Sequence, residues 1–172
     1  MNPLRPIALA TVLLLAACAS TPVDLARIPL AGAVSPAPGI VSAGRVAPGD
    51  VAALRAAGIR QVIDLTPDAE TPGFDEASAV RGAGMAYSNL PLGGGTDLTP
   101  ANVQAFDTLL RRADHPVLVH CASGNRVGAM AALRAAWIEG KPAEEAIAIG
   151  RAWGLKGLEG EVRRRIEAGP GE

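Results

Sequence analysis

Large aromatic side chains are scarce in this chain of 172 residues. Phenylalanine, tryptophan and tyrosine make up 3% of the sequence, whereas hydrophobic residues as a class make up 49%. A core of this composition must be built mainly from alanine, valine, leucine and isoleucine. The few large side chains are Phe74, Tyr87, Phe106, Trp137 and Trp153.

An excess of charge of either sign is also lacking, since the formal net charge is -1. The chain therefore has no global attraction for nucleic acid or acidic lipid, and any affinity for anions must be local. Histidine and cysteine occur only twice each. No pair of them has the spacing of zinc ligands, so the sequence predicts neither a metal nor a cofactor and no nucleic-acid partner.

The first residues have the pattern of a targeting segment. Arg5 is followed by an apolar run over residues 7–17. At about eleven residues, this run is too short to span a bilayer and suits the apolar region of a signal peptide. The sequence thus predicts a signal peptide over residues 1–17, an Ala/Pro-rich tether over 18–39 and a folded domain over 40–168.

The end of this segment, Leu15-Ala-Ala-Cys18, resembles the lipobox of bacterial lipoproteins. The resemblance implies cleavage before Cys18, lipid on its sulfur and anchoring in a membrane. The next residue is Ala19, which in such proteins favours the periplasmic side of the outer membrane. The alternative is an ordinary secretory signal that ends at a small-residue cleavage site.

Predicted strands and helices alternate along the rest of the chain. Short β-branched runs at residues 40–44, 60–65, 85–90 and 117–119 predict strands, and amphipathic segments between and after them predict helices. Such alternation is typical of a three-layer α/β fold with a mainly parallel sheet and helices on both faces. Ligands of these sheets bind beyond the carboxyl ends of the strands.

The stretch Val117-Leu-Val-His-Cys-Ala-Ser-Gly-Asn-Arg-Val-Gly128 predicts a strand, a compact loop and a helix. Gly124 and Asn125 both tolerate the left-handed backbone of a tight loop. Loop N–H groups and a helix N-terminus favour a bound anion. The predicted anion-binding residues are His120, Ala122, Ser123, Gly124, Asn125 and Arg126.

Two side chains in this stretch have reactive potential. Cys121 is a candidate nucleophile, because the loop amides, the helix dipole and a nearby guanidinium all stabilise a thiolate. Arg126 has a planar fork that can hold two phosphoryl oxygens at once. The alternatives are a small buried apolar cysteine and an ordinary surface arginine.

His120-Cys121-Ala-Ser-Gly124-Asn-Arg126 resembles the His-Cys-x5-Arg loop of cysteine phosphatases, with four intervening residues instead of five. Its length is similar to the Cys-x-x-Gly-x-Arg loop of rhodanese-like sulfurtransferases. Together these features resemble a bacterial family related to the phosphatase domain of β-lactamase-hydrolase-like proteins, which is similar in fold to dual-specificity phosphatases. The resemblance implies hydrolysis of a phosphorylated protein or small molecule through a thiophosphate on Cys121, with His120 orienting the loop.

Phosphoryl transfer from an ester also needs a proton for the leaving oxygen. Asp97-Leu-Thr-Pro100 resembles the general-acid loop of dual-specificity phosphatases, which makes Asp97 the candidate acid. Alternatively, Asp97 merely precedes a helix capped by Thr99. Further candidate acids are Asp64, Asp68 and Glu70.

Two other functions fit the same residues. A rhodanese-like sulfurtransferase would carry a persulfide on Cys121, although the chain lacks the Gly-His-Ile-x-Gly-Ala stretch typical of rhodaneses. A non-catalytic lipoprotein would use the loop only to bind an anion or a partner.

Overall fold

A computed structural model describes residues 23–171 of the chain. Its centre is a five-stranded sheet in the order β1-β2-β5-β3-β4, in which β1 pairs antiparallel with β2 and the remaining pairings are parallel. This arrangement confirms the predicted mainly parallel α/β sheet. The strands are β1 (Val34–Ala37), β2 (Ile40–Ala43), β3 (Gln61–Asp64), β4 (Ala86–Asn89) and β5 (Val117–His120).

Helices cover both faces of the sheet, as the sequence predicts. The helices are α1 (Val51–Ala56), α2 (Glu76–Gly82), α3 (Pro100–Arg112), α4 (Asn125–Trp137), α5 (Ala143–Ala152) and α6 (Glu159–Ala168). Side chains of β5 alternate between the two cores: Leu118 packs in the core with α1 and α2, whereas Val117 and Val119 pack in the core with α3 to α6. β5 is therefore buried on both faces.

The segment predicted as a tether is ordered where the structure describes it. Residues Leu25–Arg27 form a turn of 3₁₀ helix, residues 34–37 form β1, and Ile28 and Leu30 are buried in the core that contains α1. The predicted domain start at residue 40 is therefore too late. Pro36 hid the strand in the sequence, but β1 is an edge strand, where a proline is tolerated. The predicted signal peptide and Cys18 lie outside the described residues.

Helix α4, which begins at the candidate loop, is held unusually close to α5. A Cβ on Gly128 would lie 2.0 Å from the backbone nitrogen of Leu155, and one on Gly150 would lie 2.8 Å from the carbonyl oxygen of Gly128. Only glycine fits at such a backbone approach, so these two residues fix how α4 sits. None of the helices within residues 23–171 is both long and apolar enough to cross a membrane.

Candidate active site

The candidate loop leaves the centre of the sheet. Strand β5 lies between β2 and β3 and ends at His120, Cys121 opens the loop, and α4 begins at Asn125. Gly124 has a φ of 81°, in the left-handed region that favours glycine. Ser123 forms an antiparallel bridge with Gly44, which ties the loop to the end of β2. The predicted sequence of strand, tight loop and helix is thus present.

The residues of the loop differ in exposure and in conformation. Cys121 and Gly124 are buried, Ala122 and Asn125 are partly buried, and Ser123 is exposed. Of the two residues that tolerate a left-handed backbone, only Gly124 adopts it, because only glycines among the described residues have positive φ. Asn125 instead starts α4, and its Oδ1 accepts hydrogen bonds from the N–H groups of Lys156 and Leu158 at 2.8 and 3.3 Å.

Arg126 is held in place by two segments that come from other parts of the chain. Its Nη1 and Nη2 donate to Oε1 and Oε2 of Glu70 at 2.8 and 2.7 Å, and Nη1 also donates to the carbonyl oxygen of Leu92. Since a guanidinium carries five N–H donors, the Nε hydrogen and one Nη2 hydrogen on one edge have no oxygen partner within residues 23–171, and the guanidinium also interacts with the side chain of Cys121. That edge has the spacing needed to bind two oxygens of a phosphoryl group.

Ionisation within this assembly favours the charged forms. The hydrogen bonds from Arg126 lower the pKa of the Glu70 carboxyl, despite an opposing effect of burial. Burial by itself would lower the pKa of Arg126, but the Glu70 carboxylate and the nearby Cys121 raise it above its ordinary value. Cys121 therefore lies close enough to the guanidinium to interact with its charge. The sequence analysis names Glu70 only as a further candidate acid and does not predict its contact with Arg126.

Asp97 lies on the loop that contacts Arg126. It ends a 3₁₀ turn, Gly95–Asp97, and its Oδ2 accepts a 2.6 Å hydrogen bond from the N–H of Gly93, the neighbour of Leu92. Thr99 caps α3 by accepting from the N–H of Asn102 at 3.2 Å, with Pro100 at the first helical position. The cap is thus provided by Thr99, as the sequence predicts. The partly exposed Asp97 carboxylate remains a candidate acid.

The other candidate acids precede Asp97 in the sequence and have distinct surroundings. Asp68 is exposed. Asp64 is buried at the end of β3, in register with His120, and its Oδ1 and Oδ2 accept from the N–H of Thr66 at 2.6 Å and the hydroxyl of Tyr87 at 2.8 Å. These contacts give Asp64 a structural setting, as its alternating position in the strand predicts.

His120 forms a buried cluster with two carboxylates. Its Nε2 lies 2.8 Å from Oε1 of Glu76 and 3.4 Å from Oδ1 of Asp64. We call Asp64, Glu76 and His120 the His120 cluster; one ligand atom from each lies within 4.8 Å of the others, a spacing compatible with a metal ion. The sequence offered no sign of it, because the three residues come from β3, α2 and β5. Glu76 by itself looked like an ordinary acid in the first turn of a helix.

Comparison with known proteins places these features in a family. Residues 34–138 match the family described as "Beta-lactamase hydrolase-like protein, phosphatase-like domain". A beta-lactamase hydrolase-like protein from Xylella fastidiosa is 41% identical over 103 residues, which are 57% of this chain and 23% of that protein. One from Agrobacterium fabrum is 38% identical over 81 residues, 45% of this chain and 19% of that protein. The match thus spans less than a quarter of the length of these curated relatives.

Solved structures support the same fold. A candidate phosphatase from Shewanella putrefaciens CN-32 superposes with a TM-score of 0.65 at 23% identity, covering 84% of this chain and 97% of that one. P. aeruginosa TpbA, a cysteine-to-serine form in complex with phosphotyrosine, has a TM-score of 0.61 at 20% identity, covering 81% and 90%. At these identities the likeness establishes the fold, that of cysteine phosphatases.

Proposed function

The chain belongs to the family of beta-lactamase hydrolase-like protein phosphatase-like domains, and on this premise we propose that it is a cysteine-dependent phosphatase of phosphate monoesters. The observation that carries the proposal is the setting of Arg126. Its guanidinium is buried, fixed by Glu70 and Leu92 and close to Cys121, and two N–H groups on one edge have no oxygen partner among the described residues. An anion-binding fork beside a thiol is the minimum equipment for phosphoryl transfer to cysteine.

In the first step the Cys121 thiolate attacks phosphorus, a sulfur–phosphorus bond forms, and the bond to the leaving oxygen breaks. Arg126 and the N–H groups of residues 122–125 hold the equatorial oxygens, whose charge is spread in the transition state. Asp97 gives its proton to the leaving oxygen, which departs as an alcohol.

In the second step a water molecule attacks the phosphorus of the thiophosphate. Its proton passes to the Asp97 carboxylate, the sulfur–phosphorus bond breaks, and inorganic phosphate leaves with Cys121 again a thiolate. His120, directly before Cys121, serves to orient the loop during both steps. The reaction consumes one water per ester and needs no further reactant.

A sulfurtransferase is the second candidate, and the loop length favours it. Four residues separate Cys121 from Arg126, which is the spacing of Cys-x-x-Gly-x-Arg in rhodanese-like enzymes. In that case Cys121 would carry a persulfide, and the free edge of Arg126 would bind the anionic sulfur donor. A non-catalytic anion-binding role is the third possibility that the experiment below separates.

The decisive experiment measures both activities on purified protein: hydrolysis of p-nitrophenyl phosphate and transfer of sulfur from thiosulfate to cyanide. We expect the first activity, and its loss in Cys121→Ser, because an alcohol is not ionised near neutral pH. The chain has 2 cysteines, so Cys18→Ser is the matched control and should keep wild-type turnover. Activity surviving in Cys121→Ser would exclude both enzymes, and sulfur transfer alone would favour the second candidate.

The proposed substrate is a phosphorylated protein or small molecule. The complex of TpbA with phosphotyrosine supports a protein-tyrosine or dual-specificity substrate, because that neighbour shares the fold. We place the protein on the periplasmic side of the outer membrane, anchored by lipid on Cys18, as Leu15-Ala-Ala-Cys18 indicates. Two acyl signals or more make such an anchor stable.

Cys18→Ala tests the anchor. This variant should lose labelling by a radioactive fatty acid and move out of the detergent phase. Cys121→Ser, the matched cysteine change, should still be labelled and should stay in the detergent phase. Unchanged detergent partitioning of Cys18→Ala would contradict the lipoprotein assignment.

A further inference from the structure

The His120 cluster holds more negative charge than its partners offset. Asp64 and Glu76 are 4% and 5% exposed and His120 is 1% exposed, so all three are removed from water. Within residues 23–171, neither carboxylate forms an ion pair with a lysine or an arginine; their cationic partner is the imidazole alone. Two carboxyl groups thus face one imidazole, and buried carboxylates are normally paired with cations, hydrogen-bonded or bound to a metal.

Hydrogen bonding does not complete the cluster either. Oε1 of Glu76 and both ring nitrogens of His120 are buried and have no hydrogen-bond partner in the part of the chain that the structure describes, although Oε1 and Nε2 are only 2.8 Å apart. These two atoms are close together but are not oriented for a hydrogen bond with each other, so both can bind a third atom. An unpaired buried acceptor costs free energy, which a bound cation would recover.

The distances suit ligands of one small ion. Zinc binds nitrogen and oxygen at about 2.0–2.2 Å, so adjacent ligand atoms lie about 2.8–3.1 Å apart in octahedral and about 3.3–3.6 Å apart in tetrahedral geometry. The observed separations from Nε2 are 2.8 Å to Glu76 and 3.4 Å to Asp64. The two carboxylate oxygens also lie within 4.8 Å of each other, so all three atoms can face one centre.

The hydrogen bonds around the His120 cluster and the cavity beside it are also compatible with a bound metal ion. Asp64 is oriented by the N–H of Thr66 and the hydroxyl of Tyr87, the kind of second-layer hydrogen bonding that positions metal ligands. Asp64 and Glu76 line a cavity of about 760 Å³ whose wall also includes Asp68 and Asp75. The four carboxylates would attract a cation to this opening and leave room for water ligands.

We propose that Asp64, Glu76 and His120 bind one divalent transition-metal ion of the zinc type, reached through the acidic cavity beside α2. A mixed set of one imidazole and two carboxylates suits zinc better than magnesium, which prefers oxygen ligands alone. The ion would fix the ring of His120, the residue before Cys121. This proposal does not depend on phosphatase activity, because it concerns binding and can be tested in a protein without either thiol.

The test is a calorimetric titration of Zn²⁺ into the Cys18→Ser/Cys121→Ser protein, which removes both thiols as competing ligands. We expect one equivalent to bind, and Glu76→Gln on this background to weaken binding at least tenfold, as changes at metal ligands and their supports do. Asp68→Asn is the matched control, since it also removes a carboxylate from the cavity wall but leaves the cluster intact. A titration without binding, or equal affinity in Glu76→Gln, would overturn the proposal.

Two further measurements guard against a variant that fails to fold. NMR of the imidazole nitrogens needs no change in the cluster: Zn²⁺ should shift the signals of buried His120 and leave those of exposed His115, the other histidine, in place. Replacing Zn²⁺ by Mg²⁺ should abolish the shift. Movement of the His115 signals alone, or equal binding of Mg²⁺, would count against the assigned site.

Discussion

Two pairings of carboxylate and cation lie near the carboxyl ends of the parallel strands, and they differ in completeness. The Arg126–Glu70 pair joins one guanidinium to one carboxylate through two hydrogen bonds of 2.8 and 2.7 Å. The His120 cluster joins one imidazole to two carboxylates, and its closest contact is not a hydrogen bond. The charged groups of the pair are hydrogen-bonded to each other, whereas the closest groups of the cluster are not.

This difference separates two uses of buried charge. In the pair, Glu70 neutralises Arg126 at one edge and orients the other edge, so the residue is ready for an external anion. In the cluster, two carboxyl groups face one imidazole and Oε1 of Glu76 has no donor among the described residues, so the residues are ready for an external cation. One end of the sheet thus offers one environment for an anion and another for a cation. The 3₁₀ turn Asp68–Glu70 contributes Glu70 to the first and places Asp68 in the wall of the cavity beside the second.

Removing the bidentate geometry of the pair should have the largest effect on activity. Arg126→Lys keeps the charge, but an ammonium cannot serve Glu70 and two phosphoryl oxygens together. We expect kcat/KM for p-nitrophenyl phosphate to fall on the order of 10²- to 10³-fold, as for loss of a transition-state donor. Steady-state kinetics would measure this loss.

The matched control for this variant is Arg45→Lys. Arg45 also contacts Glu70, through a 2.8 Å hydrogen bond to its carbonyl oxygen, but does not lie in the candidate loop. Its replacement should leave kcat/KM nearly unchanged. Inhibition by orthovanadate should weaken in Arg126→Lys only; equal inhibition of wild type and Arg126→Lys would argue against phosphate binding by this side chain.

Asp97 is a carboxylate outside both assemblies, and its replacement should affect chemistry without disturbing either. General acids contribute about 10²- to 10⁴-fold when the leaving group needs a proton. Asp97→Asn should therefore slow phenyl phosphate by roughly 10²-fold and p-nitrophenyl phosphate far less, because nitrophenolate leaves without help. Comparison of kcat on the two esters tests this; equal losses would shift the acid role to Asp68.

Neutralising the carboxylate of the pair should have a more moderate effect. Glu70→Gln keeps the shape but offers the guanidinium one acceptor and loses the charge, so Arg126 becomes less well oriented. A hydrogen bond to a charged group is worth about 1.5–3 kcal/mol, and partial loss predicts roughly a tenfold fall in kcat/KM. Glu145→Gln, which breaks the surface pair with Lys141, is the control and should have no effect. Unaltered kinetics in Glu70→Gln would mean that Leu92 alone positions Arg126.

The parts of the site that could be predicted from sequence are those encoded by neighbouring residues. The strand before Cys121, the left-handed Gly124 and the cap at Thr99 all follow from short-range backbone preferences. The contact between Arg126 and Glu70 joins residues 56 positions apart and depends on how the turn after β3 folds over the loop. No local pattern encodes such a contact.

The same reasoning explains the two other omissions. Glu76 meets His120 only because α2 packs in the core that also contains Leu118 of β5, which a pattern of helix-start residues cannot indicate. Strand β1 was missed because Pro36 and the surrounding alanines suggested an extended tether, whereas the edge position needs no N–H from Pro36. Tertiary context decided each of these cases.

The smallest expected effect is on acid stability, and it separates the pair from the cluster most directly. The hydrogen bonds from Arg126 lower the pKa of Glu70 in the folded state below its usual value of 4.5. Glu70 therefore stabilises the fold above the unfolded-state pKa, and this contribution disappears as pH falls through the lower folded-state pKa. Urea unfolding of wild type and Glu70→Gln should differ at neutral pH and converge as the pH falls below 4.5 and through the lowered folded-state pKa.

Because the Arg126–Glu70 pair forms its hydrogen bonds without an added ion, this pH dependence should be identical with and without EDTA. The thermal stability conferred by Zn²⁺ should instead vanish with EDTA, since a ligand that binds only the folded state stabilises it by an amount that depends on its free concentration relative to Kd, and EDTA removes the free ion. A difference between wild type and Glu70→Gln that persists undiminished in acid would show that Glu70 acts by packing and not by its charge. If EDTA changed the difference in stability between wild type and Glu70→Gln, the Arg126–Glu70 pair and the His120 cluster would be coupled through the Asp68–Glu70 turn. The pair would then form both of its hydrogen bonds only when the cluster holds its ion.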